Sequence, residues 1–556
     1  MDRKLATKPR EETVKIKISI LGLVAWCAAV FLPVMPAHAQ TDSALLDALV
    51  KKGLLSDQDA EDIRASEETA YASTAASKIS LGTSIKSITF YGDLRLRYEL
   101  RDGVTPAGIT GTGGAQLNHG DTQTDNRWRY RLRFGVKGDL YDNFFYGIRL
   151  ATNPNYDRSG NVTFGHSNAE GPFGKDQSLL SIDQVYLGWH ATDYLTLTGG
   201  QMPNPLYTTN LVWDDNLNPA GAAEQFDKTF GNTEIFATAG QFVYQAAAGN
   251  GLGNTLGATQ NFSNTFMYAE QIGFKYKFDD STFFKGAATM YTYSGTQGNT
   301  EGTVAGLYSG GPLTITAPNN SPSYFNGPFV GAGSAPETNV TGINNLAVLE
   351  TPMEFDFKIG PGIHTVTSGD PKDMTSTTTG WTLPVRLFAD FAYNFEADQR
   401  ADAARAAILS AGNNGGVTAN SNSGITAGTP LGDPTIQGVL NSGKGFLDQS
   451  AYQVGVEVGQ LKKKGDWDGK LFWMSTGYYA VDPNLVDADI FNAATNMQGV
   501  VVSAAHNWTD GLSSTVRYAY AMPVNGRLAT PNVNQDLQEG DIRQYNLFQA
   551  DLMWKF

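Results

Sequence analysis

The chain has 556 residues and a formal charge of −15, from 55 acidic and 40 basic side chains, which argues against a nucleic-acid partner. With 24 Tyr, 29 Phe, 9 Trp and 61 Gly, it has a mean hydropathy of only −0.27, too polar for a bundle of membrane helices but suited to strands with one polar face. One cysteine, Cys27, offers neither a disulfide framework nor a cysteine metal centre.

The first 39 residues read as a cleaved signal peptide. Arg3, Lys4, Lys8, Arg10, Lys15 and Lys17 precede an apolar run over 18–35, and Ala37-His38-Ala39 places small residues at the cleavage-defining positions. A membrane anchor is the rival reading, but Pro33, Pro36 and the Ala-x-Ala site favour cleavage. No later stretch is long and apolar enough for a membrane-spanning helix, so any bilayer is crossed by strands. Residues 40–85 form a short periplasmic helical segment and linker. Ser43 caps a first helix carrying Leu45, Leu46, Leu49 and Val50, which ends at Gly53. Ser56 with Asp59 resembles a capping box for a second helix. A spacer is the simple role for this pair; a tether, plug or oligomerisation element is the sharper one.

From residue 86 to 556 the period changes to two. In 127–140, Trp128, Tyr130, Leu132, Phe134, Val136 and Leu140 share one face, and Arg127, Arg129, Arg131, Arg133, Lys137 and Asp139 share the other. An aromatic-rimmed apolar face opposite a charged one suits a transmembrane strand between lipid and water. The pattern recurs near 87–100, 144–153, 180–190, 194–202, 221–230, 234–245, 264–278, 282–293, 346–359, 381–395, 449–462, 468–480, 498–508, 512–522 and 544–556. This predicts an all-β transmembrane antiparallel barrel of about 16 strands, with 221–230 and 346–359 (which contains Pro352) weakly patterned and a count of 14–18 compatible. Short turns alternate with long loops, and two stretches, 294–345 and 396–447, are long enough to count as extracellular loops rather than parts of a soluble domain. The last strand places Phe548, Leu552, Trp554 and Phe556 on one parity, the pattern read by outer-membrane assembly machinery.

Four stretches carry a family resemblance. Ala44-Leu-Leu-Asp-Ala-Leu-Val, continuing to Arg64, resembles the start of mature proteins in the bacterial outer-membrane family called putative porin. Ile182-Asp-Gln-Val-Tyr-Leu-Gly-Trp189 and Leu195-Thr-Leu-Thr-Gly-Gly-Gln-Met-Pro-Asn-Pro205 resemble its fourth and fifth strands, and Leu211-Val-Trp-Asp-Asp-Asn-Leu-Asn-Pro-Ala-Gly221 the loop after them. The likeness runs from Ser43 to Phe556 and departs at 294–345 and 396–447. It implies a barrel and passive passage of small hydrophilic solutes, with no particular solute and no cofactor. Outer-membrane lipid, lipopolysaccharide, the assembly machinery and a second and third copy in a homotrimer are the expected partners.

If the polar parity lines a lumen, Arg95, Arg97, Arg127, Arg129, Arg131, Arg133 and Arg149 form a basic patch on adjoining strands. Water is their least costly home, since arginines facing lipid cost roughly 2–4 kcal/mol each near the midplane. They read either as a structural ladder balanced by Asp93, Glu99 and Asp139 or as one side of a transverse field. In the second reading Asp214 and Asp215 oppose them, by analogy with sixteen-stranded porins whose loop after the fifth strand forms the constriction. Other candidates are weaker. His38, His119, His166, His190, His364 and His506 lack metal-ligand spacing, and no metal is expected. Gly165-His166-Ser167-Asn168 faintly resembles a phospholipase pairing, and 249–253 opens no helix and so makes no phosphate loop. Asp482, Asp487 and Asp489 suit either a solvated acidic loop or a divalent cation shared with lipopolysaccharide. A diffusion channel therefore leads, an outer-membrane hydrolase lacks a catalytic constellation, and a structural tether anchored by a closed or plugged barrel is the alternative.

Overall fold

The alternation at 127–140 becomes one stave of a closed antiparallel barrel in a computed structural model of the chain. The structure describes residues 84–104, 122–153, 159–165, 179–245, 265–294, 314–315, 346–368, 375–401, 417–418, 443–487, 489–526 and 542–556. The expected signal peptide, the helical pair at 41–70 and most of 294–345 and 402–442 lie outside the described residues.

Sixteen long strands follow one another around the wall. They are β1 (Thr89–Val104), β2 (Thr122–Asp139), β3 (Phe144–Asn153), β4 (Leu179–Thr192), β5 (Leu195–Gln201), β6 (Ala220–Phe230), β7 (Thr233–Gln245) and β8 (Thr265–Lys277). The second half is β9 (Phe283–Ser294), β10 (Met353–Ser368), β11 (Thr375–Asn394), β12 (Ser450–Gly459), β13 (Trp467–Thr476), β14 (Met497–Asn507), β15 (Leu512–Pro523) and β16 (Gln544–Lys555). Each pairs antiparallel with its sequence neighbours, and β16 returns to β1 with Arg97 opposite Asp551 and Leu96 opposite Leu552. Gly92 and Phe556 exchange backbone hydrogen bonds of 3.0 and 3.1 Å at this seam. Closure removes the two open edges that a flat sheet would leave unpaired, which hydrocarbon cannot satisfy.

Side-chain parity sorts the two faces. On β2, Trp128, Leu132 and Phe134 are 51, 38 and 42 % exposed, whereas Arg129 and Arg131 between them are 4 and 5 % exposed. The apolar side chains therefore form the outer wall, and the arginines sit inside. Aromatic residues gather at the end with the short turns, where Phe144 stacks on Trp189 and Trp554 lies against Phe556. One of these turns is Tyr141-Asp142-Asn143-Phe144. Its central residues have φ of 60° and 63°, the left-handed pair that matches strand twist and that Asp and Asn tolerate.

Two departures from plain alternation bear on the site. In β4 a bulge opposite Arg149 and Leu150 turns both Asp183 and Gln184 inward, so Ile182 joins the outer face with Val185. The tenth stave is interrupted at Pro352, which lacks an N–H for the ladder. Val348–Glu350 pairs with the upper part of β9 and Met353 onward with the lower part, while the Pro352 carbonyl accepts from Ala287 N–H at 3.0 Å. That break explains why 346–359 is weakly patterned.

Candidate functional site

Two connections between strands turn into the barrel. Loop 202–219, after β5, carries Leu211-Val212-Trp213, all nearly fully buried. Loop 477–496, between β13 and β14, carries Leu485-Val486 and Ile490-Phe491, equally buried. These runs are apolar segments in loops otherwise rich in Asn and Asp, and they pack against one another as one cluster. Asp214 N–H donates to the Leu485 carbonyl at 2.7 Å, joining the two backbones.

Loop 202–219 is fastened at both ends. On one side Gln271 of β8 brackets Tyr207, accepting from its N–H at 2.9 Å and donating to its carbonyl at 2.8 Å. Thr208 donates to Glu350 and Thr209 to Asp390, each at 2.5 Å, and Tyr291 donates to the other Glu350 oxygen at 2.5 Å. Both carboxylates are buried, and no cation pairs with either among the described residues; hydroxyl donors take that place. On the other side Asn216 accepts from Arg131 at 3.1 Å, and Asn218 donates to Asp183 at 2.7 Å. The loop therefore crosses the lumen from β8–β11 to β2–β4.

Loop 477–496 crosses in another direction. Its Tyr479 carbonyl accepts from Asn394 of β11, Asp482 accepts from Tyr293 of β9, and Asn484 donates to Tyr244 of β7. At its far end Asp489 accepts from Arg97 of β1 at 2.6 Å, and Arg101 donates to Asn492 at 3.2 Å. Asp487 accepts from Asn210 of the first loop and from its own Asp489 N–H. Asp482, Asp487 and Asp489 are thus interior fastenings rather than a solvated acidic surface.

The arginines are brought together, but not as a bare cationic wall. Glu99, 0 % exposed, takes Arg127 at 2.6 Å and Arg101 at 3.1 Å, with Arg129 at 3.5 Å and Arg97 at 3.7 Å. Asp551 and Asp489 hold Arg97 at 2.7 and 2.6 Å and lie about Arg95 at 4.0 and 3.8 Å. Asp93 pairs with Arg131 at 2.9 Å and Arg133 at 2.7 Å, and the bulged Asp183 with Arg149 at 2.5 Å. Loop segment 159–161 covers the cluster: Asn161 accepts from Arg95 through its side chain and from Arg129 through its carbonyl. Such paired, buried guanidiniums stand mainly in each other's fields and those of their carboxylates. Asp139, expected in the ladder, instead accepts from Ser87 at 2.8 Å near a short turn.

Asp214 and Asp215, expected to oppose these arginines, lie on loop 202–219 between β5 and β6. Asp214 is fully buried, and its carboxylate accepts from Asn216. Asp215 is exposed on the same loop. Sequence spacing could not find Asp551, Glu350 or Asp390, because their partners Arg97, Thr208 and Thr209 lie 454, 142 and 181 residues away. Of the terminal residues, Phe548, Trp554 and Phe556 are 36, 48 and 45 % exposed on the outer wall, with Leu552 on the same parity. His166 and the following Ser167-Asn168, with 249–253, lie outside the described residues.

Comparison with known proteins bears on this architecture. Residues 80–325 match the family model described as putative porin. No curated protein matches the chain. Among solved structures, the outer membrane channel DcaP of Acinetobacter baumannii is similar at 12 % identity, covering 86 % of this chain and 100 % of that one, with a TM-score of 0.34. Pseudomonas putida OprB is similar at 9 % identity, covering 84 % and 94 %, with a TM-score of 0.39. Salmonella typhi OmpF, solved with daunomycin, is similar at 8 % identity, covering 86 % and 100 %, with a TM-score of 0.36.

Proposed function

With residues 80–325 matched by the putative porin family, we propose that the chain forms a water-filled outer-membrane channel for passive diffusion of small hydrophilic solutes and ions. One observation carries the reading: a closed wall with apolar side chains outward and charged ones inward, narrowed from within by loops 202–219 and 477–496. Charged groups such as Arg386, Glu457, Lys470 and Arg517 on the inner face of β11–β15 need water, which a conducting lumen supplies. Fold and family together imply transport rather than catalysis.

In this reading the β1–β3 arginines buttress the constriction instead of contacting solute. Loop 202–219 is the narrowing element and loop 477–496 braces it. The short turns and the 40–85 segment face the periplasm, the long loops face outside, and Phe548, Leu552, Trp554 and Phe556 serve recognition by the assembly machinery. Lipopolysaccharide surrounds the outer leaflet, and trimerisation buries part of the outer wall. Purified protein added to planar bilayers is expected to give stepwise conductance increments. A folded barrel that stays electrically silent would refute the channel.

A further inference from the structure

A pocket of about 360 Å³ lies where the two inward loops meet the wall. Trp213 and Leu217 of loop 202–219 and Leu485 of loop 477–496 form one side of it. Phe242 and Tyr244 of β7, with Met267 of β8, form the other. Phe242 and Met267 are cross-strand partners and both are buried, so register sets this side. Gly240, two residues before Phe242 on the same face, lets that ring lie back along the strand, where a Cβ would overlap it. The rings are held before anything enters. Trp213 and Phe242 stand edge to face with centroids 6.5 Å apart and planes at 68°, and Tyr293 of β9 backs Tyr244 at 5.3 Å and 87°.

Charge and hydrogen bonding say what such a pocket refuses. None of its lining residues is an acid or a base of the Asp, Glu, Lys, Arg or His kind. Its donors are already engaged. The Trp213 indole N–H donates to the Leu217 carbonyl at 3.1 Å, the Asn218 amide to Asp183 at 2.7 Å and the Asn484 amide to the Tyr244 hydroxyl at 2.7 Å. An ion would give up its water here for no counter-charge, and a sugar would bury several hydroxyls short of partners. A flat apolar molecule meets neither cost. Benzene fills a dry cavity of about 150 Å³, so there is room for one ring with a small substituent. Ring edges, ring faces and the Met267 thioether favour an aromatic occupant over an aliphatic one of equal size.

Resting on the channel reading above for access from the lumen, we propose that this pocket is a binding site for small uncharged aromatic solutes, of the size of phenol. The site selects by shape and dispersion, and it lies beside the narrowing that loop 202–219 makes.

The test uses the full-length chain carrying Cys27→Ser and Leu217→Cys, which leaves one thiol in the sequence and sets it on the pocket wall. Labelling by a maleimide is followed in lipid nanodiscs with phenol, with cyclohexanol (equal in size, without the aromatic ring) and with glucose. Phenol is expected to slow labelling at an about fivefold lower concentration than cyclohexanol, the factor that one aromatic pair supplies, and glucose to leave the rate unchanged. Phe242→Leu in the same background is expected to reduce that preference. Equal protection by phenol and cyclohexanol, or protection by neither, overturns the site. Should Leu217→Cys fail to fold, the unaltered chain in planar bilayers decides: phenol is expected to interrupt single-channel current at an about fivefold lower concentration than cyclohexanol, and equal interruption or none overturns the site. Labelling needs no conductance, so a silent barrel that phenol still protects refutes the channel and leaves the site standing.

Discussion

Glu99 illustrates how much a single buried carboxylate organises here. It is fully buried among Arg97, Arg101, Arg127 and Arg129. Removing one partner of a buried charge network costs about 3–5 kcal/mol, because the remaining charges stay desolvated. Glu99→Gln is therefore expected to lower the unfolding temperature in detergent, followed by the shift between unheated and heated gel mobility; an unaltered transition would show that water reaches these guanidiniums. At the short-turn end, Asp279 accepts from the N–H groups of Ser281 and Thr282 and from Ser281 Oγ, and Asp466 from the N–H groups of Lys462 and Lys463. Those bonds favour the ionised form and hold both carboxyls below their ordinary value of 3.8. A depressed folded-state value means a contribution present above pH 3.8 and lost as pH falls through the folded value. Asp279→Asn with Asp466→Asn should destabilise the barrel at neutral pH, with the difference from wild type shrinking as acid titration passes below that range.

At the level of elements, loop 202–219 is attached to the wall at Thr208 and Thr209 by hydroxyl-to-carboxylate contacts. Thr208 and Thr209 meet Glu350 and Asp390, which sit on adjacent strand segments, Glu350 one residue before the Thr351-Pro352 break. Replacing Thr208 and Thr209 by Val removes both donors at nearly constant shape and leaves two buried acceptors short of a partner, at about 1–3 kcal/mol each. The expected outcome is a looser loop with raised single-channel conductance and more frequent current fluctuations, while strand content by circular dichroism stays the same. A conductance trace indistinguishable from wild type would mean that Gln271 and the packed Leu211-Val212-Trp213 segment hold the loop without the threonines. The bracing loop combines both chemistries, with Asp482 accepting from Tyr293 and Asp489 from Arg97, and its buried ion pair is only weakly screened by salt.

For the molecule as a whole, the barrel is a case in which local rules agree with one another. Sixteen amphipathic strands, one tight left-handed turn at 142–143 and an aromatic belt at the short-turn end all point to the same closed wall. The two inward loops then join distant parts of that wall, β8–β11 to β2–β4 and β7–β11 to β1. A wide barrel braced across its lumen in two directions keeps its cross-section without relying on strand pairing alone.

Much of this was written in the residues themselves. Alternation over 127–140 dictated which side chains meet lipid, since a strand has a period of two and arginine cannot face hydrocarbon cheaply. Glycine- and asparagine-rich stretches separated the strands, and a proline at 352 marked a weakly patterned one. The fate of the charges was another matter. Whether Arg95 or Arg129 met water, a carboxylate or a folded loop depended on Asp489, Asp551 and Asn161, which approach only after closure brings β16 to β1 and folds the loops inward. Parity is a local property of the backbone and survives in any window of sequence. Ion pairing across a lumen depends on distances between strands far apart in the chain, and only the closed barrel sets those.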